Sequence, residues 1–168
     1  MVKLIAIAKK IDSFNDWVGQ NVSYLVILLT LIVSFEVIMR YVFKSPTFWA
    51  WDVNMYIGGL MLILGGAYAF LHKSHVTVEF LLEKWSPSRK ALLDLILFPL
   101  LLLPLVVLIW YGFEDAWQSV KIKENYSSLW EPPIYPLRIF IPIGGILFLL
   151  QGISKFISDL ALYLQSDK

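Results

Sequence analysis

Three stretches of 19 residues, Trp17–Phe35, Val53–Leu71 and Leu95–Phe113, carry no formal charge, and a fourth, Ile139–Ser154, runs for 16. A helix of 19 residues rises about 28 Å, close to the hydrocarbon thickness of a bilayer. No soluble core needs four such runs in 168 residues. The charged fraction is 16%, against about 25% for a soluble domain. A polar coat cannot be assembled from it. The fold expected is an all-α integral membrane protein forming a single membrane domain over residues 1–168. Its spans fall at about 19–43, 49–71, 91–115 and 134–157, preceded by an amphipathic helix over 1–18.

That first helix follows from periodicity. Leu4, Ile7, Ile11, Phe14 and Val18 recur every three or four residues, while Lys3, Lys9, Lys10, Asp12, Asn15 and Asp16 mostly fill the opposite side. Two lysines interrupt the apolar region and no small-residue cleavage pattern follows, so it does not read as a secretory signal. It reads as a helix lying on the membrane surface, lysines toward anionic lipid. The other reading is a helical extension of the first span.

Span one continues through Tyr41, with Glu36 and Arg40 on one helical face, four residues apart. Charges at membrane depth are functional candidates by default. Here a structural pair is favoured, because Arg40 sits where it can snorkel and Glu36 can neutralise it. Lys44-Ser45-Pro46-Thr47 makes a polar elbow, since proline disfavours helix at the residue before it. Phe48, Trp49 and Trp51 form an interfacial aromatic cluster. Thr47 is placed to cap span two, and Asp52 falls in its first turn. Within span two, Gly58, Gly65 and Ala69 share one face, and Gly59 and Gly66 widen it. Small residues let helices approach closely in lipid, either inside this chain or against another.

The connection His72–Lys90 carries Val76, Val78, Phe80, Leu81, Leu82 and Trp85, which can rest on the membrane. His72 and His75 lack a third convincing ligand and any cysteine, so a metal site is not expected. Span three contains Pro99 and Pro104 and is expected to kink. Glu114–Pro136 reads as a polar connection, its Trp130–Pro136 portion too proline-rich for helix. Pro142 lies in the first half of span four.

Nine of the 14 basic residues fall on the side of the termini, and Arg40, Lys44, Lys121, Lys123 and Arg138 lie toward the other. The positive-inside rule then places both termini in the cytoplasm. Net charge is +1, giving no sign of nucleic-acid binding, and cysteine is absent, excluding disulfides and thiolate chemistry. No nucleophile elbow, P-loop, dinucleotide fingerprint or zinc-protease motif is present. Both histidines lie outside the spans, which argues against bundle haem. The chain reads as non-enzymatic, with no cofactor.

The stretch Arg40–Glu79 carries the most specific signature. Arg40-Tyr41, the Ser45-Pro46 elbow, Trp49 through Asp52, Gly66-Ala67-Tyr68-Ala69 and His75-Val76-Thr77-Val78-Glu79 resemble the DctQ-type small membrane subunit of tripartite ATP-independent periplasmic (TRAP) transporters. Trp130–Pro136, Pro142-Ile143-Gly144 and Leu150-Gln151-Gly152 are similar to that family's fourth-span region. Met55 departs from the pattern, where many members carry arginine. The resemblance runs from about Val22 to Leu160. It implies a scaffold subunit in a bacterial inner membrane. Its partners would be a large elevator-type subunit holding substrate and sodium, and a periplasmic protein delivering an organic acid. It also implies that Glu36, Arg40, Tyr41, Trp49, Asp52, Gly58, Gly65, Gly66, His75, Glu79, Trp130 and Pro142 serve packing or partner contact, with the Trp117–Pro136 loop near the binding protein. The competing reading is a stand-alone four-helix exporter or channel that uses Glu36 as a proton site.

Overall fold

The computed structural model describes residues 2–72 and 87–166. Five helices account for most of them: α1 (Val2–Ser23), α2 (Leu25–Tyr41), α3 (Ala50–Leu71), α4 (Pro87–Ile122) and α5 (Tyr135–Ser166). Among the described residues the only β pairing is an isolated antiparallel bridge between Asn125 and Pro133. Tyr24 alone separates α1 from α2, and its dihedrals stay helical at φ −64° and ψ −20°. The combined stretch Lys3–Tyr41 is 39 residues long and, among the described residues, is one of four helical stretches apolar enough to cross a membrane. At about 58 Å it is nearly twice the hydrocarbon thickness, so one of its ends leaves the apolar layer.

The interior explains why the bundle belongs in lipid. Its buried apolar residues are mostly small: Ala8, Ala50, Ala67, Ala91, Ala116 and Ala161. The largest fully buried side chains are Asn15, Asp52, Ser119 and Ser154, all polar. Large aliphatic residues point outward, Leu62 at 79% exposure and Leu100 at 68%. Water would not tolerate that distribution. Lipid does, because the outward face gains nothing by burial and helices associate through close packing and internal hydrogen bonds. Close approach is visible at Gly144, where an added Cβ would stand 2.5 Å from the Ile63 carbonyl oxygen of α3. Gly112 and Gly145 likewise bring α4 and α5 together.

α5 packs along α4 most extensively, and also against α3 and α1. α2 runs along α3, touches the end of α1, and buries none of its residues. α4 stays helical through both prolines and reaches Ile122, so Glu114–Ile122 is helix rather than the polar connection expected. The extra turns are held at their end. Lys123 takes φ 51°, and the Glu124 and Lys123 amides donate back to the Ser119 and Val120 carbonyls at 3.0 and 3.2 Å.

α1 also corrects an expectation. Its polar side was assigned to headgroups, yet Asn15 is buried and Asp12 half-buried against α5. Leu4, Ile7, Phe14 and Trp17 face outward instead, while Lys3, Lys9 and Lys10 remain exposed. The connection expected to rest on the membrane, with His75 and Glu79, lies outside the described residues.

Candidate interaction surfaces at the two ends of the bundle

At the elbow end, the i,i+4 spacing brings Glu36 and Arg40 together as expected. The Arg40 Nη2 and Nε donate to Glu36 Oε1 at 2.7 and 3.1 Å. The other carboxylate oxygen is also engaged: the Thr47 amide donates to Oε2 at 3.0 Å and the Thr47 hydroxyl donates to the same atom. Thr47 does not cap α3, because the helix begins at Ala50 with Trp49 at the cap position and no side-chain cap bond. Proline at 46 fixes the chain so that Thr47 turns back onto α2. Trp49 stacks on Phe35 with centroids 6.0 Å apart. Glu36 and Thr47 thus fasten the elbow, while Tyr41, Val42, Phe43, Phe48 and Trp51 stay exposed around it.

Asp52, 1% exposed, accepts the Ser128 hydroxyl at 2.6 Å, which ties α3 to the loop between α4 and α5. The Tyr56 hydroxyl donates to the Pro133 carbonyl of the same loop. The loop folds on itself: the Tyr126 amide donates to Pro132 at 2.7 Å and the Ile134 amide to Glu124 at 2.9 Å. Arg138 bridges Asp115 and Glu124, each at 2.7 Å. A rigid loop results, presenting Leu129 at 92% and Trp130 at 46% exposure.

At the opposite end, a polar network links α1 to α5, which hydrophobic periodicity does not predict. Asn15 Nδ2 donates to Gln151 Oε1 at 2.7 Å and to the Leu147 carbonyl at 3.3 Å. Gln151 Nε2 and the Ser154 hydroxyl donate to Asp12 Oδ1 at 2.7 and 2.6 Å. On the α3 side, His72 Nε2 and Asp16 Oδ1 lie 2.7 Å apart. Lys155 joins Asp94 of α4 to Asp159 one turn along α5. The signal available beforehand was spacing: Ala8, Asp12, Asn15 and Gly19 share one face of α1.

The glycines of α3 divide into two faces. Gly59 faces Leu137 and Gly66 faces Phe148, both on α5. Among the described residues, nothing lies within 4 Å of a Cβ added at Gly58 or Gly65. Trp51, Met55 and Leu62 lie on that open side, exposed.

The family model for the DctQ component of tripartite ATP-independent periplasmic transporters matches residues 29–162. The chain belongs to the DctQ family. Similar proteins include one of Haemophilus influenzae provisionally named a TRAP transporter small permease protein, 27% identical over 134 residues. That match covers 80% of this chain and 71% of the other. A Vibrio cholerae sialic acid TRAP transporter small permease is 22% identical over 139 residues, 81% of this chain and 77% of its own. In this DctQ chain, Pro142 is buried beside Gly112 on α4, and Tyr41 is exposed. His75 and Glu79 of the family-like motif stand outside the described residues.

Proposed function

We propose that this small TRAP subunit braces the large membrane subunit of a sodium-driven transporter. That subunit moves as an elevator and takes up an organic acid presented by a periplasmic binding protein. In this reading both termini lie in the cytoplasm of a bacterial inner membrane. The elbow and the Leu129–Trp130 loop face the periplasm, the loop near the binding protein. The chain carries out no chemistry of its own.

One observation carries the proposal: among the described residues the outward face of α2 and α3 is unfilled, with α2 burying nothing and Gly58 and Gly65 open. Small residues beside exposed Met55 and Leu62 give the relief into which another helix packs. The exporter reading gains no support from Glu36. Both of its carboxylate oxygens are occupied by donors from Arg40 and Thr47, the arrangement of a fastening rather than a proton carrier.

Single cysteines test the face directly, since the native chain has none. With the large subunit co-expressed, Met55→Cys, Gly58→Cys and Leu62→Cys are expected to cross-link to it, and Leu100→Cys and Leu103→Cys on α4 are not. Cross-linking through the α4 positions alone would move the brace to the wrong side. Arg40→Ala leaves Glu36 with Thr47 only. It is expected to lower the yield of assembled complex several-fold with substrate preference unchanged, as read by co-purification and uptake. Normal assembly with altered preference would contradict a bracing role.

A further inference from the structure

A groove of about 370 Å³ runs between α4 and α5 on the outside of the bundle, and every atom exposed in it is apolar. Phe113, Trp117 and Val120 form one wall, and Ile139, Ile143 and Ile146 the other. Its depth in the bilayer follows from the charges around it. Arg138, with Asp115 and Glu124, marks the level where the polar layer begins. Phe113, Ile143 and Ile146 lie on the uncharged side of that level, and Trp117 and Val120 on the polar side. The groove therefore crosses from the acyl layer into the headgroup layer at the elbow side of the membrane.

A cation stands beside its Trp117 wall. Lys121 Nζ stands 5.2 Å from the centre of the Trp117 ring. That cation–π contact holds the ammonium against the Trp117 side of the groove. Asp115 and Glu124 are paired with Arg138, while Glu114, exposed one turn before Trp117, is in no ion pair among the described residues. The size of the groove selects among occupants. Spread along the roughly 10 Å between Phe113 and Val120, its volume gives a cross-section of about 35 Å². That is less than half the section of a helix about 10 Å across. A single hydrocarbon chain fits lengthwise in such a space.

We propose that this groove holds an acyl chain of an anionic phospholipid, whose phosphate sits at Lys121. The proposal goes beyond the bracing role and needs only that the chain lies in a bilayer. A basic residue near the membrane surface contributes about 1 kcal/mol toward an anionic lipid, a factor of about five in affinity. The apolar walls supply the rest by exchanging one lipid contact for a fixed one.

Dibrominated phosphatidylglycerol tests this, because bromine on the chain quenches tryptophan on contact. The full chain is placed in phosphatidylcholine nanodiscs with increasing brominated lipid. The Trp117 signal is taken as the difference between the native chain and Trp117→Phe. Quenching is expected to saturate at low mole fraction. Lys121→Ala is expected to raise the half-saturating fraction about fivefold, and Lys121→Arg to restore it. Ile143→Phe, which fills the groove from an exposed position, should remove the saturating component. Quenching that climbs in proportion to mole fraction, or is unchanged by Lys121→Ala, would mean ordinary bulk lipid contact and would overturn the proposal.

Discussion

Gly144→Ala is expected to destabilise the folded chain by about 3 kcal/mol, the upper end for overpacking a filled interior. The new methyl would stand 2.5 Å from the Ile63 carbonyl oxygen and 3.1 Å from its carbon. Those are backbone atoms, so no rotamer change relieves the contact. α3 and α5 must separate, and the packing that joins them in lipid weakens along its length. Gly58→Ala is the matched control, because its added methyl meets none of the described residues within 4 Å. It should leave the isolated chain within about 0.5 kcal/mol of native, while lowering assembly with the large subunit if that face is the brace. Unfolding in mixed micelles, followed by tryptophan fluorescence, reads the first pair of values. Equal losses at the two glycines would contradict the packing described.

The second large effect is expected at Gln151. Its amide accepts from Asn15 and donates to Asp12, so one side chain joins both polar groups of α1 to α5. Gln151→Leu leaves Asn15, 1% exposed, with only the 3.3 Å bond to the Leu147 carbonyl. Hydrogen bonds between membrane helices contribute about 0.6 kcal/mol on average, and up to about 1.7. A buried group left without a partner adds about 1–3 kcal/mol. A loss near 2 kcal/mol is expected from the same unfolding measurement. Because replacing both partners by apolar residues removes the unsatisfied group, Asn15→Leu combined with Gln151→Leu should cost less than the two single changes added. Strict additivity would mean that the pair is not coupled.

The membrane architecture is legible because a bilayer imposes one length on every span, and uncharged runs of that length are plain in the chain. The Glu36–Arg40 pair is legible for the same kind of reason, a fixed helical spacing. What was not legible depends on which solvent lies outside. The polar face of α1 was assigned outward, as for a helix lying between water and lipid. In fact Asp12 and Asn15 find partners on α5, 132 or more residues away. The glycine pairs of α3 were visible, but only Leu137 and Phe148 decide that Gly59 and Gly66 face inward. By position Thr47 reads as a helix cap, but α3 begins at Ala50 with Trp49 at the cap position, and Thr47 turns to Glu36 instead. Charges at Glu114 and Asp115 suggested that helix α4 ended there. Arg138 neutralises Asp115 across the α4–α5 pair and lets the helix run on to Ile122.

Flux through proteoliposomes decides between a brace and a carrier. The full chain is reconstituted alone, and also with its large subunit and binding protein, under imposed sodium and proton gradients. The chain alone is expected to move neither protons nor solute above protein-free vesicles, and the complete set to show sodium-dependent uptake. Dissipation of the proton gradient by the chain alone, abolished by Glu36→Gln, would contradict the bracing account and establish the exporter.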